Sequence, residues 1–201
     1  VFTAFSGALN AGLPVMFDRE FGFLNRFLVA PLVSRFSIIL ASTIFITLLS
    51  LVQTVAVILT SYFLGGGLPG VAGFALVVGI VMLLVLGMTA LSLGLTFALP
   101  GHVELLAVIF VVNLPLLFAS TALAPLDFMP DWLRTIASLN PLSYAIEPIR
   151  HLYLHPDWQW SDTVMVTPWG DLSLGLALVI LALFDGLIML SVRKLLQRKL
   201  S

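Results

Sequence analysis

The sequence predicts an all-α, polytopic membrane protein: a bundle of spanning helices with an amphipathic helix on one surface and short interfacial helices on the other. Three observations predict it. Hydrophobic residues make up 60% of the chain and charged residues only 9%, too few charges to coat a soluble domain. The mean hydropathy of +1.14 is spread over long apolar runs separated by short polar breaks. Nearly all the basic residues fall on every second break, with Arg19, Arg26 and Arg35 in one and Arg193, Lys194, Arg198 and Lys199 at the C-terminal end, leaving only Arg134 and Arg150 in the large late segment. That alternation is the positive-inside pattern of a multi-pass chain.

The elements follow in order. Residues Val1 to Met16 are apolar with small residues and Pro14, too few for a span of roughly 20 residues. They read as the second half of a span in a chain that starts partway along its natural sequence. From Phe17 to Phe36, Asp18, Arg19, Glu20, Asn25, Arg26 and Arg35 alternate with Phe17, Phe21, Leu24, Phe27 or Leu28, and Leu32 at helical spacing. This predicts an amphipathic helix along the membrane surface, ended or kinked by Pro31. Ile38–Leu64 is the first full span and the glycines from Gly65 to Gly70 make a turn. Val71–Leu99 is the second, with Ala90, Gly94 and Ala98 at four-residue spacing offering a close helix contact. Leu105–Ala124 is the third, interrupted by Asn113 and Pro115, and Leu172–Val192 is the last, with Asp185 inside it.

Orientation follows from the charges. With the C-terminal cluster inside, counting back places 125–170 outside, the Pro100–Glu104 loop inside, the glycine turn outside and the Phe17–Phe36 helix inside. Both basic clusters then share one face without adjustment. The expected location is the cell (cytoplasmic or inner) membrane, C-terminus in the cytoplasm. In the outer segment, Asp131 to Leu139 predicts a short helix. Asn140-Pro141 reads as an N-cap with proline at the first helical position of another. Trp132, Tyr144, Tyr153, Trp158, Trp160 and Trp169 fall here or beside it, and such rings favour the headgroup level.

Two stretches carry a family resemblance. One runs from Phe17-Asp-Arg-Glu-Phe-Gly-Phe-Leu through Asn-Arg-Phe-Leu-Val-Ala-Pro-Leu-Val-Ser to Arg35. The other is Met129-Pro-Asp-Trp-Leu-Arg134 with Leu139-Asn-Pro-Leu-Ser-Tyr-Ala-Ile-Glu-Pro-Ile-Arg150. Together with the span order between them, the chain resembles the permease subunit of ABC-2-type transporters over nearly its whole length, as a single transmembrane domain. The resemblance implies that 17–36 is a coupling helix docking on an ATPase subunit through Asp18, Arg19, Glu20, Phe21, Gly22, Leu24, Arg26 and Arg35. It also implies two permeases, expected to be identical, with two ATPase copies, and ATP-driven export of a hydrophobic or amphipathic cargo such as a drug, lipid or polysaccharide. No Gly-x-x-x-x-Gly-Lys-Ser/Thr loop occurs in this sequence, and Gly65-Gly66-Gly67 lacks the lysine. ATP and Mg are therefore expected on the partner, with no cofactor in this chain.

Other candidates are weighed on their chemistry. Asp185 is the ionisable residue well inside an apolar run, a functional position by default unless it pairs with a base or faces a bundle interior. It is a candidate for the substrate path or gate, with Asn113, Asn140, Tyr144, Glu147 and Arg150. Gln53, Thr54, Ser92 and Thr96 either line a path or bond between helices. His151, His155 and Asp157 have a metal-like spacing that Pro156 disfavours, so no metal is expected. His102 and Glu104 read as a solvated break. Three rivals stand beside the transporter: a proton-coupled secondary carrier using Asp185, a membrane-embedded metal enzyme using His151, His155 and Asp157, and a scaffold subunit. The absence of cysteine excludes disulfides and thiolate chemistry. The absence of a basic patch with interleaved aromatics speaks against nucleic acid as a partner. Membrane lipid remains the solvent of the whole chain.

Overall fold

The computed structural model describes residues 1–22, 36–65 and 67–200, with side chains for 1–22, 44–65 and 67–195. Two short helices open the chain, α1 (Phe2–Leu9) and α2 (Gly12–Glu20). Long helices α3 (Phe36–Phe63) and α4 (Val71–Ala98) follow, 28 residues each, then α5 (His102–Phe118). A 3-10 turn (Leu126–Phe128) leads to α6 (Asp131–Ala137) and α7 (Pro141–Leu154). An antiparallel hairpin of β1 (Thr163–Thr167) and β2 (Gly170–Ser173) runs straight into α8 (Leu174–Leu200). Ile44–Phe63, Val71–Ala98 and Leu174–Leu195 are long and apolar enough to cross a membrane. The all-helical membrane architecture read from composition is therefore what the chain adopts, with the small hairpin as an addition.

The helix α4 is the axis of the bundle. At 1.5 Å per residue its length is about 42 Å, ample for a hydrocarbon core of about 30 Å. The helix α8 packs along it in parallel. A Cβ built on Gly87 would meet the Asp185 carboxyl, and one on Gly94 would meet Val192, seven residues further on along both helices. The bare glycines let the backbones approach, which in lipid replaces the missing hydrophobic drive between helices. On α8 the buried seam is Leu174, Ala177, Leu181 and Asp185. The opposite stripe, Leu176, Val179, Leu183, Leu187 and Leu190, is exposed at helical spacing and suits lipid.

The opening helices sit in the middle of the protein. Phe5, Leu9 and Met16 are wholly buried in one cluster with Leu84, Met88, Leu105 and Leu181. The end of α2 meets the α4–α5 loop, while Trp158 lies beside Gly73 at the start of α4. The bundle thus has an arginine-bearing end and a tryptophan-bearing end. Because Val192 lies against Gly94, the C-terminal part of α8, with Arg193 and Lys194, is at the arginine-bearing end.

Several boundaries differ from the reading of the sequence, among them the start of α5, which takes in His102 and Glu104 of the expected Pro100–Glu104 loop. The helix expected over Phe17–Phe36 is divided. Its first residues, Phe17 to Glu20, close α2, and the chain turns at Phe21 and Gly22, whose φ of 76° favours glycine. The remainder, with Leu24, Arg26 and Arg35, lies outside the described residues. The third span, expected to reach Ala124, ends at Phe118 after 17 residues, where the Asn140 side chain takes the carbonyls of Leu116 and Ala119. The last helix starts at Leu174 rather than Leu172, since Leu172 and Ser173 belong to the hairpin.

Candidate functional site

The arginine-bearing end is built on a helix break. At Asn10–Ala11 the chain leaves α1 and re-enters helix at Gly12. A break inside an apolar bundle strands backbone donors and acceptors. Two hydroxyls of α4 satisfy them. The Ser92 Oγ donates to the Leu9 carbonyl at 2.6 Å and accepts from the Gly12 N–H at 2.9 Å. The Thr96 Oγ1 donates to the Gly12 carbonyl at 3.0 Å. Gly12 has no side chain to lose there: a Cβ would run into Thr96 and Ser92.

Two turns on, α2 grips the α4–α5 loop. Pro100 stops α4 and leaves its final carbonyls without helical partners. The Arg19 guanidinium donates to the carbonyls of Thr96 at 2.6 Å, Leu99 at 2.7 Å and Pro100 at 2.6 Å. The next residue, Glu20, closes the start of α5. Its Oε1 accepts from the His102 N–H at 2.6 Å, and its Oε2 pairs with the His102 Nδ1 at 2.5 Å. The His102 backbone bond, then its ring, hold the Glu20 carboxyl below its ordinary value. The Phe17 ring lies 5.2 Å from the His102 ring. One helical turn of α2 therefore fixes the end of α4 and the beginning of α5 together.

Of the residues singled out for coupling, Asp18, Arg19 and Glu20 form that turn, and Phe21 and Gly22 make the bend beyond it. His102, read from the sequence as a solvated break, is a partner of Glu20. Ser92 and Thr96 turn out to bond between helices, the second of the two roles open to them. Their four-residue spacing in an apolar helix was the available signal. What they hold was not legible, because it is backbone some 80 residues away.

The gate candidates divide into two groups. Asn140, Tyr144, Glu147 and Arg150 all lie on or just before α7, at the tryptophan-bearing end. The Asn140 Oδ1 caps α7 by accepting from the Leu142 N–H at 2.9 Å. Its Nδ2 donates to the carbonyls of Leu116 and Ala119, both at 2.7 Å, and so terminates α5 as well. The Tyr144 hydroxyl donates to the Ser138 carbonyl at 2.7 Å. Arg150 bridges the Glu147 carboxylate and the Thr121 carbonyl. Burial pushes the Glu147 carboxyl above its ordinary value, with the Arg150 guanidinium opposing. These residues form a clamp between α7 and the end of α5. Asn113 and Asp185 are elsewhere. The Asn113 Oδ1 is buried without a partner, and Asp185 lies in the α4–α8 seam with both carboxyl oxygens unpartnered among the described residues.

Between α1, α3, α4 and α7 lies a cavity of about 210 Å³, where Thr3, Gln53, Thr54, Ser61 and Tyr153 add polar atoms to an apolar wall. His151 pairs with Asp162 at 3.0 Å and stacks on His155, while Asp157 is exposed. Among the described residues no group of three or more His, Asp or Glu is placed to hold a metal.

The family described as ABC-2 type transporter matches residues 1–154. The chain belongs to the ABC-2 type transporter family. Relatives described as putative transport permease ycf38 are 58% identical in Porphyra purpurea and 54% identical in Pyropia yezoensis, over 92% and 100% of this chain. The chain spans 64% and 69% of the length of those two relatives. A probable doxorubicin resistance ABC transporter permease protein, DrrC, of Mycobacterium tuberculosis is 29% identical over 73% of this chain and 53% of its own length. No solved structure matches. As a member of this family with apolar membrane-length helices, the protein is a multi-pass membrane protein. The α2 junction and the α7 clamp both fall inside the matched residues, whereas the hairpin and α8 fall beyond them.

Proposed function

We propose that the chain is the transmembrane permease portion of an ABC-2-type, ATP-driven transporter that exports a hydrophobic or amphipathic cargo. The observation that carries the reading is the grip of Arg19 and Glu20 on the α4–α5 loop. A partner ATPase pressing on the segment from Asp18 to Arg35 would meet a helix end already bonded to two further helices. Displacement of α2 would move the ends of α4 and α5 together, since Arg19 binds one and Glu20 the other. A small docking motion could thus tilt whole helices. Nucleotide and Mg would sit on the ATPase, and two permeases with two ATPase copies would enclose the path. The arginine-bearing end, with Arg193 and Lys194, would face the cytoplasm. The drug-resistance name of the DrrC relative supports an amphipathic cargo class.

Proteoliposomes holding the full-length permease and its ATPase test this. ATP-dependent cargo movement is expected, and Arg19→Ala should uncouple it while the two proteins still co-purify. Loss of three charge-assisted bonds to carbonyls removes about 1.5–3 kcal/mol each at most. Transport that persists without ATP and collapses with a proton gradient would reject the reading. It would favour a secondary carrier, for which the unpartnered Asp185 is the supporting observation.

A further inference from the structure

The hairpin that precedes α8 carries an outward apolar surface with no counterpart in the family match, which ends at residue 154. Trp160, Val166 and Trp169 are 55%, 50% and 54% exposed, three large apolar side chains on or beside one short hairpin. Inward, Met165, Thr167 and Leu172 are buried, so the hairpin is fixed to the bundle by one face only. Its position is set by hydrogen bonds to the first turn of the last span. The Leu174 N–H donates to the Asp162 carbonyl at 2.9 Å, and the Gly175 N–H donates to the Trp160 carbonyl at 3.1 Å. Trp160 packs over Gly175, next to Leu176, where the exposed apolar stripe of α8 begins. Behind it, Trp158 stands edge-on to Trp160 at 5.3 Å and reaches Gly73 at the start of α4. Trp158 and Trp160 therefore sit at the level where two membrane-length helices begin, and Trp160 is continuous with the lipid-facing stripe of one of them.

We propose that the β1–β2 hairpin is a membrane foot: Trp160, Val166 and Trp169 rest in the headgroup layer and fix the depth of α8. Indole rings favour that layer because it takes an apolar body and a hydrogen-bonding edge at once. The charge identifies the lipid. From His151 to Val192 the chain has no Lys or Arg, the nearby Arg150 and Arg134 are engaged with Glu147 and the Leu126 carbonyl, and Asp157 and Asp171 are exposed close in sequence to Trp158 and Trp169. Carboxylates and indole faces suit zwitterionic headgroups bearing an ammonium and disfavour anionic ones.

The 201 residues contain no cysteine, so Val166→Cys in the full-length permease, with any cysteine outside them replaced by serine, gives one attachment site for a spin label. In phosphatidylcholine nanodiscs the label should relax strongly with oxygen and weakly with a water-soluble nickel complex, and mixing in phosphatidylglycerol should leave its depth unchanged or shallower. Strong relaxation by nickel would place the hairpin in water. An immobilised label reached by neither agent would place it against protein, a second copy or another partner. Either outcome overturns the proposal, and deeper insertion in phosphatidylglycerol overturns its charge argument. If labelling perturbs the hairpin, a chain keeping Trp169 as its one tryptophan reports the same depth. Its fluorescence should be quenched by phosphatidylcholine brominated near the carbonyl and resist acrylamide, and the reverse pattern overturns the foot.

Discussion

Ser92 serves two backbone groups with one hydroxyl, accepting from Gly12 and donating to Leu9. Ser92→Ala leaves both buried and unsatisfied, and an orphaned buried polar group costs about 1–3 kcal/mol. Unfolding of the purified protein by titrated denaturing detergent should shift accordingly, and an unchanged midpoint would show that the break is held otherwise. Gly87 presents the opposite problem, a residue whose lack of side chain is occupied by the Asp185 carboxyl. Gly87→Ala should cost about 1–3 kcal/mol through overpacking, and pairing it with Asp185→Ala should recover most of the loss in the same titration. Glu20 links the junction to pH. Its folded value lies below the ordinary 4.5, so its contribution is complete above about pH 4.5 and is lost as pH falls through the lowered value. Heat denaturation followed between neutral and acid pH should show an acid-side loss that Glu20→Gln removes.

At the scale of elements, the protein solves its helix ends by borrowing side chains from neighbours. α5 is about 26 Å long at 1.5 Å per residue, short of a full crossing. Its last carbonyls are closed by Asn140, which caps α7 in the same stroke. Asn140→Ala should therefore loosen two helices. Hydrogen exchange should rise both in 116–121 and in the first turn of α7, with a total cost of about 2–4 kcal/mol from a lost cap and two orphaned carbonyls. Faster exchange confined to α7 would mean that α5 is closed by other means. The caps also show where reading stopped. Asn140-Pro141 was legible as a helix start because N-capping is local. Its second role was not, because Leu116 and Ala119 are brought to it by the fold. The division at Gly22 hid for a related reason. An apolar-polar period continues through Phe21 to Leu32, and a helical period does not register a glycine turn placed within it.

For the whole molecule, parallel packing of α4 and α8 puts both C-terminal ends at one end of the bundle, with Arg19 and Arg193. Single cysteines at Lys194 and Trp160 should react with a membrane-impermeant maleimide from opposite sides of sealed vesicles, and one at Asp18 should match Lys194. Asp18 and Lys194 reacting from opposite sides would break the topology. Three of the four expected spans were legible, because the bilayer imposes long apolar runs on any chain that crosses it; the third was not, since α5 has only 17 residues. The hairpin was not. Thr163 to Ser173 is too short and too polar to stand out beside the apolar runs, and it gains its inner face only by packing Met165 and Leu172 on the bundle.

The sequence by itself determined the class of the protein, its membrane-length helices, the two short aromatic-flanked helices between residues 125 and 170 and the family to which it belongs. Each of these depends on local hydropathy, local caps or residue motifs. Only the tertiary structure decided which side chains close which helix ends. It alone put Ser92, Thr96 and Arg19 on backbone about 80 residues distant, and it alone set Asp185 against Gly87. The physical reason is that a backbone group stranded in an apolar interior must find a partner somewhere, and distance along the chain carries no record of who that partner is.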